Sequence, residues 1–327
     1  MLTFVVRRVL AMIPTLLLVS IMTFVIIQLP PGDFMTSLQA LAASSGSGAD
    51  EAAMESLRQT YGLNEPIYVQ YFKWISGFFR GDFGYSFEWK RPVSELIAGR
   101  LALTVILSGI SLIIMWVVAV PIGIYSATKQ GSAGDHALTF LGFLGLSVPD
   151  FLLGLIYIFV GIFVFGTSVS GLMSSEMEQA PWGLPKVLNL ISHLFFPALI
   201  LSVAGMAQLI RIMRGSLLDV LGQQYVTTAR TKGLKEDVVI NKYAVKVAIN
   251  PLISVMGMQL PSIINGATIL GLVLSLPTIG PMFVRALTSQ DMYLAGTILL
   301  FLAVLLMVGN LLADIALAWV DPRIRLE

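Results

Sequence analysis

Six long, mostly uncharged apolar stretches punctuate the chain, separated by segments of a different character. They run from about Val9 to Leu29, Leu101 to Thr128, Ala137 to Gly166, His193 to Met213, Asn250 to Leu274 and Leu294 to Val320. Each reaches the roughly 18 to 20 residues that carry a helix across about 30 Å of hydrocarbon. No ten-residue segments alternate in the manner of barrel strands. A lone span must satisfy its backbone internally, so all six stretches predict helices. The first stops at Pro30-Pro31-Gly32-Asp33, and the third is interrupted by Ser147-Val148-Pro149-Asp150.

The pattern therefore predicts an all-α polytopic membrane protein with six transmembrane helices. An N-terminal tail and first span occupy 1–29, an extracytoplasmic segment 30–100, and a core with spans two to six 101–327. The overall composition agrees, being 56% hydrophobic and only 12% charged, where soluble domains carry about a quarter charged residues. The absence of cysteine excludes disulfides and thiolate metal sites.

Charge sets the orientation. With both termini in the cytoplasm, the inner tails and short loops hold Arg7, Arg8, Lys129, seven cations between 211 and 250, Arg323 and Arg325, against Lys186 and Arg285 in the short outer loops. Twelve against two follows the positive-inside rule and supports both termini lying inside. Because the basic residues are localised, the net charge of +1 gives no reason to expect a nucleic-acid partner. Arg7-Arg8, an apolar run and Ala40-Leu41-Ala42 imitate a signal peptide. The run is longer than an ordinary signal core and the small-residue triplet lies well beyond it, which favours a retained first span.

The outer segment has two characters. Ser44 to Glu51 reads as a flexible link, whereas Tyr61 to Trp89 is dense in aromatics. That density fits equally a folded cap that docks an external partner or lines the outer mouth, and packing at headgroup depth.

The charged stretch 211–250 is the most informative. It carries Arg211, Arg214, Arg230, Lys232, Lys235, Lys242 and Lys246 with Asp219, Glu236 and Asp237. Leu217, Leu218, Val220, Leu221 and Tyr225 predict an amphipathic helix reaching about Lys232. Gly233 then takes a positive φ and ends it. A second short helix follows, with Glu236 and Asp237 in its first turn and Val238, Val239, Ile240, Tyr243 and Val247 on its apolar side. Such a hairpin either lies on lipid headgroups or docks a partner, and the small residues Thr227, Thr228 and Ala229 before the glycine favour docking.

Nothing predicts an enzyme. The chain has no G-x-x-x-x-G-K-[ST] loop for nucleotide phosphates. His136 and His193 lack a metal-ligand pattern, and His193 reads as an interfacial residue. Asp150 and Asp314 are the candidates for an ion relay within the spans. Asp150 stands three residues after Ser147, the spacing of a capping box. Asp314 sits near the cytoplasmic end, within reach of Arg323 or Arg325. Both therefore read as structural, and an ion-coupled secondary transporter is the second reading.

Tyr225-Val-x-Thr-Ala-Arg-x-Lys-Gly-Leu234 resembles the cytoplasmic EAA loop of binding-protein-dependent ABC importer permeases, in particular the first permease of the dipeptide/oligopeptide branch. Thr227-Thr228-Ala229 stands where the general pattern has Glu-Ala-Ala, and Tyr243-Ala244-Val245-Lys246 replaces its final element. Arg7-Arg8 with Pro14, Leu29 to Asp33, Gly62-Leu63-x-x-Pro66, Gly81-Asp82-Phe83-Gly84-x-Ser86, Arg91-Pro92-Val93, Ser147-x-Pro149-x-Phe151 and Asp321-Pro322-Arg323 are also similar to that branch.

The resemblance implies a type I importer permease fold with an outer segment between helices 1 and 2. It implies a second homologous permease, two ABC ATPases, an extracytoplasmic solute-binding protein and the lipid bilayer as partners. The chain itself then binds no cofactor, ATP and Mg being held by the ATPases. Tyr225, Thr228, Ala229, Arg230, Lys232, Gly233 and Leu234 become the ATPase-coupling residues, with the helix of 217–233 as a lever. The branch carries peptides, nickel chelates, opines and oligosaccharides. The long stretches Met35–Glu55 and Ser170–Gly183 tilt towards a larger substrate.

Overall fold

The computed structural model describes residues 2–29, 65–181 and 183–320. The stretch Met35–Glu55 and the terminal Asp321-Pro322-Arg323 lie outside them, as do Arg323 and Arg325, the partners expected for Asp314. Four long helices carry apolar windows with few charges: α1 (Leu2–Gln28) at the N-terminal end of the chain, α3 (Val93–Thr128), α7 (Leu184–Leu221) and α11 (Asn250–Val273), and α13 (Met292–Val320) adds a fifth. Counted as one broken span, α4 (Ala133–Ser147) with α5 (Asp150–Phe163), bent by 99° at the break around Pro149, makes a sixth, and the single turn α6 (Ser175–Glu178) follows it. Proline explains the break, because it disfavours helix in the residue before it and supplies no donor.

Two of these helices far outrun their apolar cores. α3 begins at Val93 and α7 covers 38 residues, about 57 Å at 1.5 Å per residue. Hydropathy marks only the lipid-facing middle. The polar ends continue the helix because straight-chain and charged residues are good helix formers.

The capping role expected for Asp150 does not survive. Pro149 occupies the N-cap position of α5 without a side-chain cap. The Ser147 hydroxyl donates instead to the Phe143 carbonyl, at 2.8 Å. A serine inside a helix turns back on the preceding turn more readily than it reaches forward past a proline.

By Cα proximity the chain forms two compact units, which cut it differently from the divisions 1–29, 30–100 and 101–327. One comprises residues 104–277 and 308–320 with the first few residues. There α4 packs on α7, α7 on α11, and α5 on both. Close approach is built in: a Cβ at Gly123 of α3 would stand 2.6 Å from the Met213 Cβ of α7, the small-residue contact typical of membrane helices. At one end of this unit, Asp135, buried in the first turn of α4, accepts both arms of the Arg214 guanidinium from α7, each at 3.0 Å. It also accepts the Gly131 N–H, at 3.0 Å, and Ser132 caps the helix by accepting from the Asp135 N–H.

The other unit, 6–103 with 278–307, contains α2 (Ile67–Phe78) and the helix α12 (Ile279–Thr288). It also holds a two-residue antiparallel pairing of β1 (Tyr85–Ser86) with β2 (Arg91–Pro92), the one exception to an all-helical chain among the described residues. Its core joins Val93, Leu96 and Ile97 to Ile279, Met282, Leu294 and Ile298. Asp291, fully buried, accepts from the Ser86 hydroxyl at 2.6 Å and from the backbone N–H groups of Glu88 and Leu294. Burial pushes its carboxyl above the usual range, and these hydrogen bonds oppose the shift. The aromatic segment divides. Trp74 and Phe87 are buried, Trp74 stacking edge-on against Phe78, while Tyr68, Phe72 and Phe79 stand exposed. Packing therefore uses one set of rings and leaves another on the surface.

Candidate functional site

The charged stretch is organised differently from a free loop. α7 carries its apolar ridge without interruption to Leu221, and Leu217 on it is fully buried. Arg211, Arg214 and Asp219 thus ride on the end of a membrane helix. The helix expected over 217–232 is instead two helices, broken at Gly222-Gln223. The second is α8 (Gln224–Thr231). Gly222 is a poor helix former, and its N–H closes back on the Val220 carbonyl.

α8 is short and sided. Val226 and Ala229 point inward, at 0% and 4% exposure. Tyr225, Thr228 and Arg230 face outward. The Thr228 hydroxyl donates to the Gln224 carbonyl at 2.9 Å, so it spends its donor on its own helix. Beyond α8, the Gly233 N–H donates to the Arg230 carbonyl at 2.9 Å, and Gly233 adopts φ +75°, as expected of a helix-ending glycine. A Cβ there would meet no atom within 4 Å, so the requirement for glycine is conformational and not steric.

An ion pair closes this turn. The Arg230 guanidinium donates to both Glu236 oxygens, at 2.7 to 3.2 Å. These hydrogen bonds, helped by the attraction of opposite charges, hold the Glu236 carboxyl below the ordinary range and strengthen the hold of the guanidinium on its proton. A depressed carboxyl adds its stabilisation above the unfolded value and loses it as pH falls through the folded one. The fork is therefore intact at neutral pH and opens in acid. Glu236 thus joins the predicted residues through its contact with Arg230. Its spacing of six from Arg230 matches no helical contact rule.

After Gly233 come α9 (Glu236–Val238), a π-helical turn over Val239–Ala244 and α10 (Val245–Ala248), which leads into α11. The expected second helix is present, but the wide π-turn splits its apolar side. Val239, Ala244 and Ala248 are buried, while Val238, Tyr243 and Val247 are left exposed. Of the seven predicted residues, Tyr225, Thr228, Arg230, Lys232, Gly233 and Leu234 lie on the surface. Ala229 does not, because it packs inward. Tyr225, Leu234 and Val238 form exposed apolar positions interleaved with Arg230, Lys232 and Lys235, a mixture more typical of protein interfaces than of an ordinary solvated loop.

His193 lies in the first turns of α7, at its other end, with Nδ1 2.9 Å from the Asn189 carbonyl.

Comparison with known proteins connects this geometry to a family. Residues 119–326 match the model described as binding-protein-dependent transport system inner membrane component. Residues 1–108 match its N-terminal companion. The oligopeptide transport system permease protein AppB of Bacillus subtilis is 39% identical over 332 residues, 99% of either chain. The dipeptide transport system permease protein DppB of Escherichia coli K12 is 31% identical over 341 residues, also 99% of either chain. Among solved structures, a chain of the inward-facing MetNI methionine ABC transporter superposes with a TM-score of 0.53 at 16% identity. The match covers 69% of this chain and 96% of that one.

Proposed function

Because the chain belongs to the family of binding-protein-dependent transport system inner membrane components, we propose that its charged segment 222–249 is where separate ATPase subunits drive it. The chain is a multi-pass inner-membrane permease subunit of an ABC importer with the type I fold. In the proposed assembly it pairs with a second permease to enclose the path. Two ATPases supply the nucleotide site, with ATP and Mg, and an external binding protein delivers the solute. Both termini and the segment 222–249 face the cytoplasm, in keeping with the positive-inside count. Peptides are the solute class, since AppB and DppB are named for oligopeptide and dipeptide transport.

The observation that carries the docking role is the surface just described, which follows two residues after the end of α7. Tyr225 and Leu234 are exposed at 43% and 38%, and α7 runs from Leu184 to Leu221 without a break. A push on α8 would thus cross only the short Gly222-Gln223 joint before it reaches α7 and, through it, the spans. Closure of the ATPases would move that helix and exchange inward- for outward-facing states, each stabilised by different contacts.

The chain has no cysteine, which makes the test clean. Tyr225→Cys and Leu234→Cys, treated with a short bifunctional thiol reagent in the assembled transporter, are expected to give adducts with the ATPase. Phe79→Cys, 89% exposed in the other compact unit, is expected to give none. Adducts absent from the first two, or equally abundant at Phe79→Cys, would remove the docking role.

A further inference from the structure

Asp150 is the carboxylate that the fold leaves without its expected duty. Among the described residues it takes part in no hydrogen bond or ion pair, and it stands partly buried at the break of the third span. Its neighbours are Gly266 of α11 and Leu201 near the middle of α7. A Cβ added to Gly266 would come within 2.7 Å of Asp150 Oδ2 and 3.1 Å of a Leu201 methyl. An unpaired carboxylate at this depth is costly, and such groups face bundle interiors or water-filled paths where they meet a mobile partner.

The seam between α7 and α11 continues with amides. Gln259, seven residues before Gly266 on α11, is buried at 4% exposure and donates to the Gln208 Oε1 of α7 at 3.3 Å. Gly205 leaves the room for this, since a Cβ there would stand 3.0 Å from Gln259 Oε1. Gln208 is itself exposed. With its oxygen engaged by Gln259, its amide N–H groups remain available as donors. Leu201, Gly205 and Gln208 follow the i, i+4, i+7 rule for one helix face. The axial distance from Leu201 to Gln208 is about 10 Å, roughly three residues of extended chain at about 3.4 Å each.

We propose that Asp150 and Gln208 form a two-point peptide-recognition site in the translocation path, Asp150 pairing with the α-ammonium group and Gln208 donating to a backbone carbonyl about three residues on. Gln259 is the positioning residue that orients Gln208. The proposal rests on the reading of the solute as a peptide. It makes the permease selective for a positive end, in addition to whatever selection the binding protein exerts.

The test uses the complete transporter in proteoliposomes with tri-alanine as the probe. Asp150→Asn, nearly isosteric, is expected to lower uptake about tenfold, the size of one lost charge-assisted hydrogen bond. Asp150→Glu is expected to restore most of it, with ATP hydrolysis retained in both. In a Gln208→Cys background, tri-alanine is expected to slow maleimide labelling several-fold when Asp150 is present and not when it is Asn. Uptake within twofold of normal in Asp150→Asn would overturn the site, as would protection that persists without the carboxylate. So would a loss of uptake that tracks a sodium or proton gradient instead of the peptide. Failure of the unsubstituted transporter to move tri-alanine at all would strike the peptide reading and the site with it.

Discussion

Gly233→Pro is expected to reduce uptake by at least tenfold while the protein still inserts and the partner ATPases continue to hydrolyse ATP. Proline fixes φ near −65°, whereas Gly233 holds +75°. Proline also removes the N–H that donates to the Arg230 carbonyl at 2.9 Å. The turn must therefore open, separating Arg230 from Glu236 and releasing α8 from the segment that leads into α11. The cost is about 3 kcal/mol or more, concentrated in one exposed turn and leaving the spans intact. Since no atom lies within 4 Å of a Cβ at this position, Gly233→Asn, which tolerates a left-handed backbone, should retain most uptake. Ala should fall between Asn and Pro. Parallel measurement of ATP hydrolysis and uptake checks the series. Equal activity of the Pro variant would contradict a conformational role for the turn. A bulky residue at Ala229 is expected to uncouple by a different route, displacing the buried face of α8.

Arg214→Ala is expected to be the most destabilising single change in the charged end. It strands the Asp135 carboxylate, 2% exposed, leaving it neutral partners such as the Gly131 N–H and a long contact from Thr139. Breaking a buried pair from one side costs about 3 to 5 kcal/mol. Arg214→Lys keeps the charge but loses the two-pronged geometry, and should recover only part. The pair ties the first turn of α4 to α7, so its loss should also loosen the helix through which α8 acts. Thermal unfolding of the purified permease in detergent should rank the unsubstituted protein above Lys and Lys above Ala. Equal melting of all three would show that the pair contributes nothing.

These two positions differ in how far the sequence alone discloses them. The positive φ of Gly233 could be read directly, because a glycine closing an amphipathic run has few other uses. Arg214 with Asp135 could not, because the partners are 79 positions apart and nothing local marks them. The spans are visible in hydropathy, the third only as a bent pair of helices, but their ends are not. Glu95 and Arg100 interrupt the apolar pattern of α3 without interrupting the helix, and Leu217 reads equally well as the start of a surface helix or the end of a buried one. Asp150 departs from its expected capping role for a sharper reason. The spacing Ser-x-x-Asp fits a capping box, yet Pro149 takes the cap position and Ser147 turns back to Phe143. Spacing alone does not reveal which way a hydroxyl points.

The central claim is that this permease moves its solute only when partner ATPases act on the segment 222–249. Solute uptake into proteoliposomes, measured with each partner omitted in turn, tests it most directly. The account predicts ATP-dependent uptake with the second permease, the ATPases and the binding protein all present, and none when the ATPases are left out, whatever ion gradient is imposed. Uptake by this chain alone under a sodium or proton gradient would contradict it.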